Sequence, residues 1–317
     1  MPGTTTTLLN FYDLRNELYT ADALNTPLLT MSGGLTGGLL TENFEFPTSV
    51  DYVLPGAGQN VVSEVASMGA PAFTQVARAQ VFNTCQIHHY AIQVSYKHMA
   101  SMGRLSGIST ATVTPNVQDE VDFQIARHLE VIARDVEASF IQGAFQQAGD
   151  STIVAQTRGI CGNADSVCRD LAGSTSIDAL SAALDLPMMQ NFLLTMYDNG
   201  APFNNLVLYT GGRLKQVLSG IYGFAPTSRN VGGVNIEQIV TDFGNLGIVT
   251  SRFAPADTIA AIEMSVVSPV FMRVPDKGTI FYEELGRAGG AITGQVYGLI
   301  GLDHGPAFAH GELFDIG

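Results

Sequence analysis

Tryptophan is absent from this chain of 317 residues, lysine occurs only at Lys97, Lys215 and Lys277, and charged residues make up 14% of the whole. An average soluble domain carries about 25% charged residues. With hydrophobic residues at 46% and a mean hydropathy of +0.19, little of this chain is suited to facing water. Long hydrophobic runs are lacking as well: no stretch reaches the roughly 18 apolar residues that a membrane helix needs. The opening MPGTTTTLLNFYDLRNELYT has no basic region followed by an apolar core, so no signal peptide is expected there. The apolar surplus is therefore expected to be buried between subunits of an assembly.

The shortage of positive charge excludes a second class. The formal net charge is −14, and the arginines and lysines form no cluster. Tight binding to DNA or RNA depends on clustered cations that displace counterions from phosphate. Cysteine is scarce too. Cys85, Cys161 and Cys168 are an odd set, which is no disulfide framework and fits a reducing compartment. Cys161 and Cys168 lack a CxxC spacing or a nearby histidine pair, so they are read as structural thiols and not as a metal site.

Catalytic motifs are missing. There is no GxxxxGK[ST], GxSxG or HExxH, and the PGAGQNV stretch lacks both a third glycine and a surrounding βαβ unit. His88 and His89 are adjacent in a strand-like run, which aims them at opposite faces, and Glu283 and Glu284 share that geometry. His128 lies on a helix and reads as a packed or interfacial residue. Asp303, His304, His310 and Glu312 are the nearest approach to a metal cluster, at a spacing that matches no standard ligand set. Asp242 and Asn245 flank Gly244 as turn residues do. No catalytic residue, metal ligand or cofactor is assigned.

What the chain does have is one long helical signal from Asn116 to Asp150. Val121, Ile125, Leu129, Ile132, Val136 and Phe140 recur at steps of three and four, on one side of a helix. Asp119, Glu120 and Asp122 suit the positive end of the helix dipole, Asn116 is placed to cap it after Pro115, and Glu130 precedes Arg134 by one turn. The spacing predicts a spine helix over 117–148, about 45 Å long, stopped at Gly149-Asp150. Arg127, Glu130, Arg134, Asp135 and Glu137 read as its charged face.

Around the spine, residues 1–43 read as an arm without a core of its own, expected to lie on another surface, such as a neighbouring copy. FEFPTSVDYVLP and FTQVARAQVFNTCQI alternate about a tip of small residues, which predicts a long hairpin over 44–84. Such a hairpin is not stable alone in water, so it needs a partner surface. Tyr90–Met102 reads as a short helix or strand. Ser176–Asn199 reads as a second helical block interrupted at Pro187. Asn205–Thr210 is a buried-strand candidate, and RLKQVLSGIY is a short helix. Strands are expected on either side of the Asp242–Asn245 turn, in TIAAIEMSVVSPVFMRV and in AITGQVYGLIGL. A sheet gathered from distant segments against one long helix is an α+β fold.

In this order the segments resemble the major capsid proteins of tailed bacteriophages with the Hong Kong 97-type fold. LNTPLLTMSGG is similar to that family's arm, and FEFPTSVDYVLP with TQVARAQVFNTCQIHHYAIQVS resembles its extended loop and return. EVIARDVEASFIQG before TRGI resembles its spine, and PFNNLVLYTGGRLKQVLSG with IVTDFGNLGIVTSRFAP its axial domain. ELGRAGGAITGQVYGLIGLDHGPAFAHGEL resembles its closing strands. Two departures stand out: Glu45-Phe46 replaces the family's Glu-Trp, and Gly290 replaces an acid in the Leu285–Gly290 segment.

The resemblance implies an arm (1–43), an extended loop (44–84), a peripheral domain (85–175) holding the spine, an axial domain (176–265) and return strands completing the peripheral domain (266–317). It implies hexamers and pentamers forming an icosahedral virion capsid around double-stranded DNA, assembled in the host cytoplasm. A portal protein, a possible decoration or cement protein and no membrane partner go with that reading. Acidity suits a container through which DNA must slide. Candidate assembly contacts are Arg78, Lys97, Arg127, Arg134 and Glu137, with Arg78 and Arg127 expected to meet acids across interfaces. Lys97 is the one lysine near the hairpin for a Lys–Asn cross-link of the kind this fold permits. The alternatives are an encapsulin-type compartment shell and, in another class, a cytoplasmic oligomeric enzyme.

Overall fold

The computed structural model describes residues 25–52, 62–70, 75–76, 78–100, 120–147, 149–222, 227–231 and 234–317. In chain order the described strands are β1 (Leu39–Thr41), β2 (Glu45–Tyr52), β3 (Arg78–Thr84), β4 (Gln86–Ser95), β5 (Thr175–Asp178), β6 (Leu206–Thr210) and β7 (Thr227–Val231). They continue as β8 (Val234–Thr241), β9 (Gly244–Thr250), β10 (Ile259–Glu263), β11 (Ser268–Met272), β12 (Ile280–Ala288), β13 (Ala291–Asp303) and β14 (Gly311–Phe314). The α+β expectation holds, with two main sheets where one was expected.

The first sheet is built on the 13-residue β13, which pairs antiparallel with β4 over Ala291–Ile300 along one edge. Its other edge is shared by β12 and then β11, and β11 carries β1 in parallel. Glycines let neighbours close over this strand: a side chain at Gly294 would collide with the Tyr282 ring, and one at Gly301 with Phe46. The second sheet has seven strands in the order β5-β14-β10-β6-β9-β8-β7. Its central strands β6 and β10 are buried on both faces. Leu206, Leu208, Ile259 and Ala261 face a core formed with the helices Leu186–Asp198 and Gly212–Tyr222. Val207, Tyr209, Ala260 and Ile262 face the core around the spine. The period-two alternation of strands thus makes this sheet a wall between two cores.

The spine helix is described over Glu120–Gln142, 23 residues and about 35 Å, and ends before the residue 148 that the sequence predicts. Ile132, Val136, Phe140 and Ile141 are fully buried, while Val121, Ile125 and Leu129 pack at the edge of the same core. The expected caps at Pro115 and Asn116, and Asp119, lie outside the described residues. The helix stops at Gly143, before the predicted Gly149-Asp150. Ile160 N–H donates to Phe140 O and Cys161 N–H to Ile141 O, both at 2.9 Å, so the returning chain satisfies carbonyls that a longer helix would use itself. A side chain at Gly143 would collide with the carbonyls of Ser139 and Thr157, so this close return depends on glycine.

Other expectations need correction. The second helical block is a strand, β5, followed by a helix that begins at Leu186. Pro187 sits in its first turn and Asp185 caps it by accepting Met188 N–H at 2.8 Å, so the proline starts this helix and does not interrupt it. The Tyr90–Met102 segment is split between β4 and a short helix, Tyr96–Ala100. β14, expected among the return strands of the peripheral domain, pairs with β10 and β5 in the seven-stranded sheet.

Candidate functional site

Two features stand apart from ordinary core packing: a hairpin that leaves the body, and a latch that holds the arm to the spine.

The hairpin joins β2 and β3 antiparallel, as the alternating sequence predicts. Only its base is buried. Phe46 packs with Cys85 and Val270, and Asn83 Nδ2 donates to Leu302 O at 2.7 Å while its Oδ1 accepts Arg158 N–H at 2.8 Å. Thr84 Oγ1 donates to Gln156 O at 3.0 Å. Further out, one face carries a row of exposed apolar side chains: Val50 and Phe82 are about half exposed and Tyr52 is 60% exposed. Beyond Tyr52 the hairpin carries a short helix, Glu64–Ser67, started by Ser63, whose hydroxyl accepts Ala66 N–H. It bears Val65 at 76% exposure and is followed by Met68 at 77%. The tip glycines Gly56 and Gly58 lie outside the described residues. A two-stranded hairpin with a row of exposed apolar side chains leaves contact surface for something outside the chain.

The latch is formed by Glu137, which is fully buried. Its carboxylate accepts Leu28 N–H at 3.0 Å, Leu29 N–H at 2.7 Å and the Tyr209 hydroxyl. Leu28 and Leu29 begin the arm helix Pro27–Ser32, whose first amides have no partner within that helix. The spine, the arm and β6 therefore meet at one carboxylate. Burial pushes its pKa up, against the lowering effect of the three donors. The arm from Pro27 to Thr41 lies on its own subunit, where the sequence suggested a neighbouring copy; the residues before Asn25 lie outside the described ones.

The other sequence candidates are dispersed. Arg78 opens β3 opposite Tyr52 and is exposed, as is Lys97 on the Tyr96–Ala100 helix. Arg127 is exposed and pairs with Glu130 of its own helix at 2.9 Å. Arg134 is half-buried, and Asp135 accepts the Tyr90 hydroxyl. Glu137 is a contact within the chain and not a surface for a neighbour. The sequence reads it as part of a charged face, because its partners Leu28 and Leu29 lie more than a hundred residues away, at separations of 109 and 108.

The Asp303, His304, His310 and Glu312 set does not converge on a common point. Glu312 is buried against Arg169, with which it forms an ion pair at 2.6 Å. His310 Nε2 donates to the His304 carbonyl at 2.6 Å, and His304 Nε2 lies 3.2 Å from Thr48 Oγ1. Burial, then the nearby His310, hold His304 down to about 3, so both rings stay neutral at ordinary pH. Among the described residues no group of three His, Cys, Asp or Glu is placed to hold a metal ion. His88 is buried and His89 exposed, as their alternation requires. Cys161 and Cys168 are buried in the spine core, and burial raises both thiols well above the ordinary range. One cleft of about 480 Å³ is open and aromatic, lined by Tyr197, Ala201, Phe203, Asp242 and Phe243.

The long spine packed on a sheet, the seven-stranded domain beside it and the projecting hairpin define the Hong Kong 97-type class of shell proteins. Solved structures agree on that fold. The cyanophage A-1(L) capsid asymmetric unit matches with a TM-score of 0.63 at 14% identity, covering 98% of this chain and 97% of that one. The capsid of a native GTA particle matches at 0.56 and 13% identity, covering 98% and 96%. The holo-SrpI encapsulin complex from Synechococcus elongatus PCC 7942 matches at 0.55 and 11% identity, covering 97% and 96%. The family model described as SU10 major capsid protein matches residues 1–317, and the chain belongs to that family. No curated protein sequence matches the chain. It is a major capsid protein, a structural subunit of which many copies build the shell of a phage virion.

Proposed function

We propose that copies of this chain assemble in the host cytoplasm as hexamers and pentamers, and that these close an icosahedral shell around double-stranded DNA. The observation that carries this reading is the hairpin, anchored at its base and bearing a row of exposed apolar side chains further out. In a closed shell its outer half lies over an adjacent copy, a heterologous contact that repeats around local rotation axes. Arg78, Lys97 and Arg127 are exposed cations that can meet acids on neighbours, Arg127 while also paired with Glu130 of its own helix, each contact contributing little on its own. Arg134 is half-buried and a weaker candidate for such a contact, made in addition to those within its own chain.

A net charge of −14 supports an interior that holds DNA without sequence-specific contacts and lets it slide during packaging. A portal protein at one vertex and a decoration or cement protein on the outside complete the particle in this reading. The role is structural and not enzymatic in this reading, as membership of a capsid-protein family supports. An encapsulin-type compartment is the second reading, favoured by the fold likeness to the SrpI shell.

Deleting residues 53–77 tests the proposal. Soluble subunits or capsomers in place of shells are expected, and shells of normal size and stability would overturn it. Particle contents separate the two readings, nucleic acid supporting the phage shell and a packaged protein the compartment.

A further inference from the structure

The histidines that resemble a metal cluster in sequence join the hairpin to the body. Register in the hairpin shifts between Pro47 and Ser49: Pro47 pairs with Phe82 and Ser49 with Val81, so Thr48 is the extra residue of a β-bulge. A bulge bends its strand and raises the local twist. Its position marks a boundary. On the face of Phe46 and Asn83 the chain inside the bulge is buried, whereas Val50 and Tyr52 beyond it are exposed.

Thr48 Oγ1 lies 3.3 Å from Val81 O, to which it donates, and 3.2 Å from His304 Nε2. Thr48 Oγ1 and His304 Nε2 are hydrogen-bonded, with the direction set by the imidazole tautomer. His304 is fully buried just after β13, and its carbonyl accepts His310 Nε2–H at 2.6 Å. Nδ1 of His310 in turn accepts Glu263 N–H at 3.4 Å, at the end of β10. A buried chain of hydrogen bonds thus runs from the hairpin bulge through the end of the first sheet to the second.

We propose that Thr48 and His304 form the hinge that sets the direction in which the hairpin leaves the body. They are then positioning residues for the contact with the neighbouring copy, an inference that rests on the shell reading. Inside the bulge the strands are fixed by side-chain bonds to the body through Asn83 and Thr84. At the bulge the His304 imidazole reaches the hairpin, so a change there alters the angle of everything further out. A shell closes only when many copies present the hairpin alike, which makes the angle part of assembly accuracy.

Thr48→Val keeps the shape of the side chain and removes the hydroxyl, whereas Thr48→Ser keeps the hydroxyl. Amide hydrogen exchange on dissociated subunits is read at Val50–Tyr52 and Ala79–Val81, and at Phe46 and Asn83 as an internal check that the base is folded. Electron microscopy then gives the spread of particle diameters. For Thr48→Val, exchange beyond the bulge is expected to rise roughly threefold to tenfold, as for loss of one hydrogen bond, with the base unchanged. A broader diameter distribution is expected with it, and Thr48→Ser should match the wild type in both. Unchanged exchange, or an equal rise at base and outer strands, overturns the hinge. Faster outer exchange with shells as uniform as the wild type overturns its role in assembly. The wider shell reading fails separately, when removal of residues 53–77 leaves normal shells.

Discussion

Glu137 of the spine accepts the backbone N–H of Leu28 at 3.0 Å, across 109 residues of sequence, inside a fully buried site. The arm helix is too short to hold itself. The carboxylate acts as its cap from another part of the chain, and the Tyr209 hydroxyl makes the same group a link to the second sheet. Removing the side chain leaves two amides and one hydroxyl without an acceptor. Glu137→Ala is expected to cost about 3 kcal/mol or more in denaturant unfolding of the dissociated subunit, and to expose the Pro27–Ser32 helix to protease. Tyr209→Phe, which removes one donor, is expected to cost about 1 kcal/mol.

The same site has a pH signature. Burial raises Glu137 above its ordinary value of 4.5. A raised acid holds its proton more tightly in the folded chain, so its contribution is full below 4.5 and falls as pH rises through the raised value. Glutamine does not titrate. The stability of the wild type minus that of Glu137→Gln is therefore expected to shrink from about pH 4 to about pH 7. Paired unfolding curves across that range check the sign, and a gap that widens with pH would contradict it.

His304 has the opposite sign. Its folded value is depressed from 6.5 to about 3, so the neutral ring favours the folded state above 6.5, and that contribution is lost as pH falls toward 3. At about pH 5 the loss relative to neutral pH is about 2 kcal/mol from this residue. In His304→Gln the stability should depend less steeply on pH between about 6.5 and 4, as followed by thermal unfolding of subunits.

Gly143 ends the spine by allowing the return chain to pass against it. Gly143→Ala is expected to destabilise the subunit by more than about 2 kcal/mol, since a Cβ meets two backbone carbonyls that cannot move independently. Gly149→Ala, at the stop that the sequence suggested, is expected to change stability by less than about 1 kcal/mol, because its Cβ meets only the end of the Ile153 side chain.

That pair shows what the sequence discloses and what it withholds. The spine is legible from the spacing of Ile132, Val136 and Phe140, because one face of a helix is a local pattern. Its end is not. Ala144, Phe145 and Gln146 do not break a helix, and the amides of Ile160 and Cys161 that take its last carbonyls come from the return chain. The hairpin is legible as alternation, but the partner of its bulge residue Thr48 is a histidine 256 residues away. Glu137 is hidden for the same reason, since a glutamate beside Asp135 and Arg134 looks solvated until its distant donors are known. The helix start at Asp185 could have been found, since a capping acid two residues before a proline is a local signal.

Electron cryo-microscopy of particles formed by the purified chain tests the central claim most directly. The account predicts closed shells in which the β2–β3 hairpin of each subunit lies over a neighbouring copy and covers Tyr52, Val65 and Met68. Small discrete oligomers, or closed shells in which those three side chains stand in open solvent, would contradict it.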